Sequence, residues 1–137
     1  MDKIAVVRVR GIRNMKPPLI KTFELLRLHK PNHCVIIDNS PQNRGMLRKV
    51  NDYIAYGQIT IETMERLISK RGEHGANKTD GKKVVQELQA GKKLKDLIDP
   101  VFRLHPPKRG YKDIKRNYPL GDCGERPDMD VLLKKMM

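Results

Sequence analysis

Between Lys3 and Ile59 the apolar residues change period several times, from the two-residue repeat of a strand to the helical repeat and back. Lys3 to Arg10 (KIAVVRVR) alternates, with Ala5, Val7 and Val9 on one face and Arg8 and Arg10 on the other, which predicts a half-buried strand. Gly11 to Pro18 reads as a loop that ends where a helix begins. From Leu19 to Leu28 the residues Leu19, Ile20, Phe23 and Leu26 recur at helical spacing, and Lys30-Pro31-Asn32 stops the helix. His33 to Asp38 (HCVIID) is a second short strand. Ser40-Pro41 supplies an N-cap and a first-turn proline for a helix carrying Met46, Leu47, Val50 and Ile54. Tyr53 to Ile59 could extend that helix or form a strand; the Asn51-Asp52 turn and the alternation Ile54, Tyr56 favour a strand. The pattern predicts an α+β fold: a β-α-β-α-β core over residues 1–59, with a three-stranded sheet and its helices on one face.

Residues 60–137 form a second subdomain of different texture. Thr60 to Arg71 is a helix closed by Gly72, and Glu73 to Lys83 is a polar loop. Asp80 caps a helix through Leu88, Leu94 to Ile98 adds a helical turn, and Asp128 to Met136 makes a terminal amphipathic helix. Between these helices, Arg103 to Asp122 is polar and basic, so the extension combines helices with a basic loop.

Charge decides the class of partner. Lys and Arg outnumber Asp and Glu by 29 to 16, a net +13 on 137 residues, while hydrophobic residues are only 38%. A chain so self-repelling needs a polyanion, and phosphate docking releases condensed counterions. No apolar run approaches the ~20 residues of a membrane span, and Met1-Asp2-Lys3 followed at once by a strand does not read as a signal peptide. Cys34 and Cys123 form no C-x-x-C pair and fit a reduced, cytoplasmic chain.

The cations concentrate in three places. Arg8, Arg10, Arg13 and Lys16 run off the first strand. Gln42, Asn43, Arg44, Arg48 and Lys49 belong to the first turns of the second helix, whose N-terminal N–H groups and dipole suit phosphate, with Gly45 permitting close approach. Arg103, His105, Lys108, Arg109, Lys112, Lys115 and Arg116 form a third cluster, interrupted only by Asp113. Its prolines and Gly110 keep that loop from burying itself, so a partner should order it. Tyr111 and Tyr118 could stack on unpaired bases or pack the loop onto the domain.

Catalytic chemistry finds no foothold. His29, His33 and Cys34 lack a fourth ligand at metal spacing, and His33 and Cys34 point to opposite faces of a strand. Cys123 has no histidine base in sequence reach, the acids are scattered, and the glycines match no nucleotide-binding loop. The expectation is a non-enzyme without metal, cofactor or small-molecule substrate.

Three stretches carry a family resemblance: VVRVRGIRNMKPPLIKTFELLRL, NHCVIIDNSPQNRGMLRKVNDYIAYG and RLHPPKRGYKDIKRNYPLGDCGE. They resemble the large-subunit ribosomal protein thirty family, the counterpart of eukaryotic L-seven, most specifically in the run from Arg44 to Val50. Residues from Thr60 onward match the long archaeal and eukaryotic form. Without the basic N-terminal extension of eukaryotic members, the chain is most similar to the archaeal ones. The resemblance implies a ferredoxin-like core and a structural role in translation, binding large-subunit rRNA near the 5S RNA and beside neighbouring ribosomal proteins. Carried over by position, the contacts would be Arg8, Arg10, Arg13, Lys16, Gln42, Asn43, Arg44 and Lys49, with His105, Pro106, Lys108, Arg109 and Gly110 in the basic loop. A basic chromatin or DNA-compacting protein is the alternative that shares this charge.

Overall fold

A computed structural model describes residues 3–11, 16–71, 81–90, 101–108, 110–111, 120–121, 123–127 and 129–136. Its elements are β1 (Lys3–Arg8), α1 (Pro17–Leu26), β2 (His33–Asp38), α2 (Pro41–Lys49), β3 (Ile54–Gln58), α3 (Ile61–Arg71), α4 (Gly81–Gln89), β4 (Val101–Arg103), β5 (Gly124–Glu125) and α5 (Met129–Met136). The fold is α+β around a mixed five-stranded sheet of order β4-β2-β1-β3-β5. β1 is antiparallel to β2 and β3, β4 is antiparallel to β2, and β5 is parallel to β3.

Two features differ from the expectation. The sheet has five strands because the second half of the chain supplies both edges, in pieces of three and two residues. Such short pieces show no period to detect. The helices also cover both faces, not one. Ile4 and Val6 of β1 pack with Val35, Ile54 and Tyr56 beneath α1 and α2, through Phe23, Leu26 and Leu47. Ala5 and Val7, on the other face, join Cys34 and Ala55 beneath α3, α4 and α5, through Met64, Leu67, Val84, Val85 and Leu133. β1 is therefore a fully buried central strand rather than a half-buried one.

Local chemistry sets the ends that matter for the site. α1 closes at Arg27, which takes the left-handed conformation (φ 63°). The Arg27 N–H then donates to the Glu24 carbonyl and the Leu28 N–H to the Phe23 carbonyl, the paired closure of a Schellman turn. Ser40 caps α2, its hydroxyl accepting from the Asn43 N–H at 3.2 Å. At the other edge, Gly57 leaves room for β5 and α5. A Cβ there would lie 2.2 Å from the Arg126 carbonyl oxygen and 2.7 Å from Met129 Cγ. Asp130 of α5 reaches back to accept from the Thr60 N–H at 3.1 Å, tying α5 to the start of α3.

Candidate nucleic-acid interface

Among the described residues, cations predicted to bind occur at both ends of the sheet, with one of them inside the core. Arg8 is that one: it is 1% exposed. Its Nε donates to the Arg10 carbonyl at 2.9 Å and its Nη1 to the Leu28 carbonyl at 2.7 Å. The guanidinium lies over the Phe23 ring, 4.3 Å from the centroid. Burial lowers its pKa from the ordinary arginine value. The expectation that Arg8 faces outward is thus corrected, because α1 lays Phe23 and the Leu28 carbonyl over that face of β1. Arg10 is half-buried with its guanidinium 5.0 Å from the Tyr53 ring centroid, and the backbone N–H groups of Val9 and Arg10 donate to the Tyr53 carbonyl. Lys16 is exposed at the N-cap of α1, where its carbonyl accepts from Leu19 and Ile20.

Gln42, Asn43 and Arg44 lie at the end of the sheet where β2 finishes, in the first turn and a half of α2. The helix start is less open to an anion than its sequence suggests. Pro41 has no N–H, the Ser40 hydroxyl takes the Asn43 N–H, and the Ser40 carbonyl takes that of Arg44. Asn43 Nδ2 turns inward to the Asp38 carbonyl at 2.8 Å. The Arg44 guanidinium donates to Asn39 Oδ1 and meets Glu125 at 3.5 Å. Arg44 and Glu125 line a cleft of about 580 Å³ with Gly57, Gln58, Arg126 and Pro127. Tyr56 sits behind it; burial and then Glu125 raise its pKa, against the pull of Arg44 and Arg48.

Arg48 and Lys49 belong to the last turn of α2, not its first, because the helix is only nine residues long. There they complement the C-terminal end of the dipole. Lys49 therefore leads back to the opposite end of the sheet, about 17 Å away along a six-residue strand. This is the end where β1 finishes and where Arg8 pairs with Ile54.

The basic loop reaches the same end from β4. The N–H groups of His105 and Lys108 donate to the carbonyls of Met136 and Lys135, so the loop caps the C-terminus of α5. Gly110 takes a left-handed turn (φ 74°), and Tyr111 donates to Asn32 Oδ1 at 2.7 Å while packing against the core. Tyr111 is thus half-buried against the core and tied to the turn before β2. Arg13, Arg109, Lys112, Lys115, Arg116 and Tyr118 lie outside the described residues, as does the helical turn expected at Leu94 to Ile98.

Sequence reasoning set aside His29, Lys30 and His33. The last of these pairs across the sheet with Arg103. The cross-strand register, which no local pattern reveals, brings these groups together. Cys34 and Cys123 are buried, and burial pushes the Cys34 thiol up to about 12, an unreactive position. No group of three metal-ligating side chains occurs among the described residues, and no helix among them is long and apolar enough to cross a membrane.

Comparison with known proteins agrees with this architecture. The model of the family "Ribosomal protein L30p/L7e" matches residues 4–54, from β1 to the first residue of β3. "Large ribosomal subunit protein uL30" of Archaeoglobus fulgidus is 42% identical over 149 residues, covering 96% of this chain and 98% of its own. The proteins of the same name from Methanococcus vannielii and Methanoregula boonei are 43% and 39% identical, over 97% and 96% of this chain and 98% of their own. The matches span nearly the whole chain, and the chain belongs to the uL30 family of large ribosomal subunit proteins.

Proposed function

We propose that the chain is a structural constituent of the archaeal large ribosomal subunit, in the cytoplasm, and that it binds and stabilises large-subunit rRNA there. Membership of a ribosomal structural family sets enzymatic activity aside. The same near full-length similarity favours the ribosome over a chromatin or DNA-compacting role. The observation that carries the RNA reading is the division of the molecule into a sealed apolar interior and an exposed cationic surface. Both faces of the sheet are closed by helices, while Lys16, Lys49 and Lys108 stand in solvent within a net charge of +13. A surface of that kind neutralises phosphates and releases their counterions.

Two contact regions make up this reading. One gathers Arg10, Lys49, His105 and Lys108 at the end of the sheet where β1 finishes. The other is the start of α2, with Gln42, Asn43 and Arg44. Arg8 contributes from inside, by holding the end of α1. Arg13, Lys16, Arg109, Lys112, Lys115 and Arg116 belong to the same proposal on their charge and their place in the sequence. Gly45 supports contact along α2: it is exposed inside a helix, and a Cβ there would meet nothing within 4 Å among the described residues. Internal packing gives no reason for a residue that costs a helix about 1 kcal/mol, whereas a nucleic-acid backbone lying close does. Contact with the 5S RNA and with neighbouring ribosomal proteins belongs to the same reading.

Co-sedimentation tests it. The protein should remain with large subunits through a high-salt wash that strips loosely held basic proteins. Release into the supernatant with the bulk of such proteins contradicts the assignment.

A further inference from the structure

We propose that Asn32 is a positioning residue for the rRNA interface: it clamps the basic loop at Leu104 and Tyr111 and so sets His105 and Lys108 beside the end of β1. The proposal rests on the rRNA reading above and deepens its first contact region.

The clamp uses three polar groups of one residue. The Asn32 N–H donates to the Arg8 carbonyl at 2.7 Å, tying the turn before β2 to the end of β1. Its carbonyl accepts from the Leu104 N–H at 3.3 Å, where the chain leaves β4. Its Oδ1 accepts from the Tyr111 hydroxyl at 2.7 Å. The entry to the loop and Tyr111 beyond it therefore meet on the same side chain and backbone. The residue type follows from the conformation. Asn32 lies in the left-handed region (φ 68°), which asparagine tolerates better than most residues, and its short side chain keeps Oδ1 close to the backbone.

Between Leu104 and Tyr111 the backbone is braced. The His105 and Lys108 N–H groups donate to the Met136 and Lys135 carbonyls at 3.3 and 3.1 Å, and the Gly110 N–H closes a turn on the Pro107 carbonyl at 2.9 Å. Pro107 is buried, while Lys108 is exposed. The backbone that carries the cation is thus held to the domain and the charge is left in solvent. A segment ordered before it meets RNA spares the complex the entropy of ordering it, which is the benefit of preorganisation. Of these links the Tyr111–Asn32 bond alone joins two side chains, so it can be cut without altering any charge.

The test uses the full chain, in vitro transcribed large-subunit rRNA and two single variants that keep every charge. Tyr111→Phe removes only the hydroxyl and keeps the ring against the core. Asn32→Gly removes the acceptor and keeps a residue at ease in the left-handed conformation. Circular dichroism confirms that both fold. Each should lower rRNA affinity about fivefold, the size of one lost hydrogen bond. The salt slope should stay unchanged, because no phosphate-binding cation is lost. The double variant should bind no worse than the weaker single, since the same bond is broken once. In the free protein, hydrogen exchange should quicken at His105, Lys108 and Gly110 but not in β1. Exchange that quickens equally in β1, with folded protein binding as wild type, would reduce Asn32 to a structural role and overturn the proposal. Wild-type affinity in both variants also overturns it, as does a loss confined to one of them, which would make that group an RNA contact. Failure of the wild-type chain to bind rRNA removes the rRNA reading itself, and the clamp's purpose with it.

Discussion

The Arg8 guanidinium lies 4.3 Å from the centroid of the Phe23 ring and donates to the Leu28 carbonyl five residues further on. One buried cation thereby joins the central strand to both the middle and the end of α1. Phe23 meets Tyr53 edge-on, with centroids 6.2 Å apart at 86°, and Arg10 stacks on Tyr53 in turn. Arginines and rings alternate, and Arg8 is the only one of the two cations fully enclosed.

Arg8→Ala should therefore act on stability. It removes two charge-assisted bonds and a stacked side chain, although Nη2 has no partner among the described residues and already costs something to bury. The expected loss is on the order of 2–4 kcal/mol, read by denaturant unfolding. rRNA affinity measured on the folded fraction should stay within twofold of wild type. A tenfold affinity loss with unchanged stability would make Arg8 a contact residue after all.

Gly57→Ala should loosen the β5 edge. The added methyl would overlap the Arg126 carbonyl, which is backbone and cannot rotate away. Overpacking of this kind costs about 1–3 kcal/mol, and hydrogen exchange should show the loss centred on residues 124–126 and the start of α5. Uniform destabilisation without local loss of protection would refute the close-approach role.

Gly45→Ala should separate stability from binding. With open space around its Cα, the substitution should stabilise the free protein by about 0.5–1 kcal/mol. The same methyl should weaken rRNA binding if the backbone of α2 meets RNA closely. A variant that is more stable and binds equally well would remove α2 from the interface.

Much of this fold was legible in the chain. The short strand read at His33 to Asp38 is β2 to the residue, and Ser40-Pro41 marks the start of α2. Arg8 was misread because its parity with Arg10 looks like a polar face. Its burial depends on Phe23 and Leu28, which only the fold of α1 supplies. The edges were hidden for a related reason: β5 exists because Gly57 admits a close neighbour from almost seventy residues away. At the site, composition pointed to a polyanion, and Arg44, Lys49, His105 and Lys108 were named as RNA contacts; Lys49 and Lys108 are exposed, Arg44 and His105 half-buried. Their division between two ends of the sheet follows from strand direction, and the His33–Arg103 pairing from register. Neither is a property of any short stretch.

The Arg44–Glu125 contact makes a prediction opposite in sign to a simple charge count. Glu125 is exposed and holds the Arg44 guanidinium in a partly solvated pair, worth little to stability. Glu125→Gln should leave unfolding within 0.5 kcal/mol and raise rRNA affinity a few-fold, by freeing Arg44 for phosphate. Arg44→Glu should cost more affinity than Lys134→Glu on α5, although the charge change is the same. Equal losses from those two would reduce the α2 site to general electrostatics.

The central claim, that exposed cations on a closed α+β domain neutralise rRNA phosphates, is tested most directly by the salt dependence of binding. The affinity for in vitro transcribed large-subunit rRNA should be measured from low to high salt for the wild-type chain and for Lys16→Gln/Lys49→Gln/Lys108→Gln. A steep negative slope of log affinity against log salt is expected for the wild type. The triple variant should have a slope shallower by roughly 2–3, since each lost phosphate contact removes about 0.7–0.9. A wild-type affinity nearly flat in salt, or a triple variant with an unchanged slope, would contradict the account.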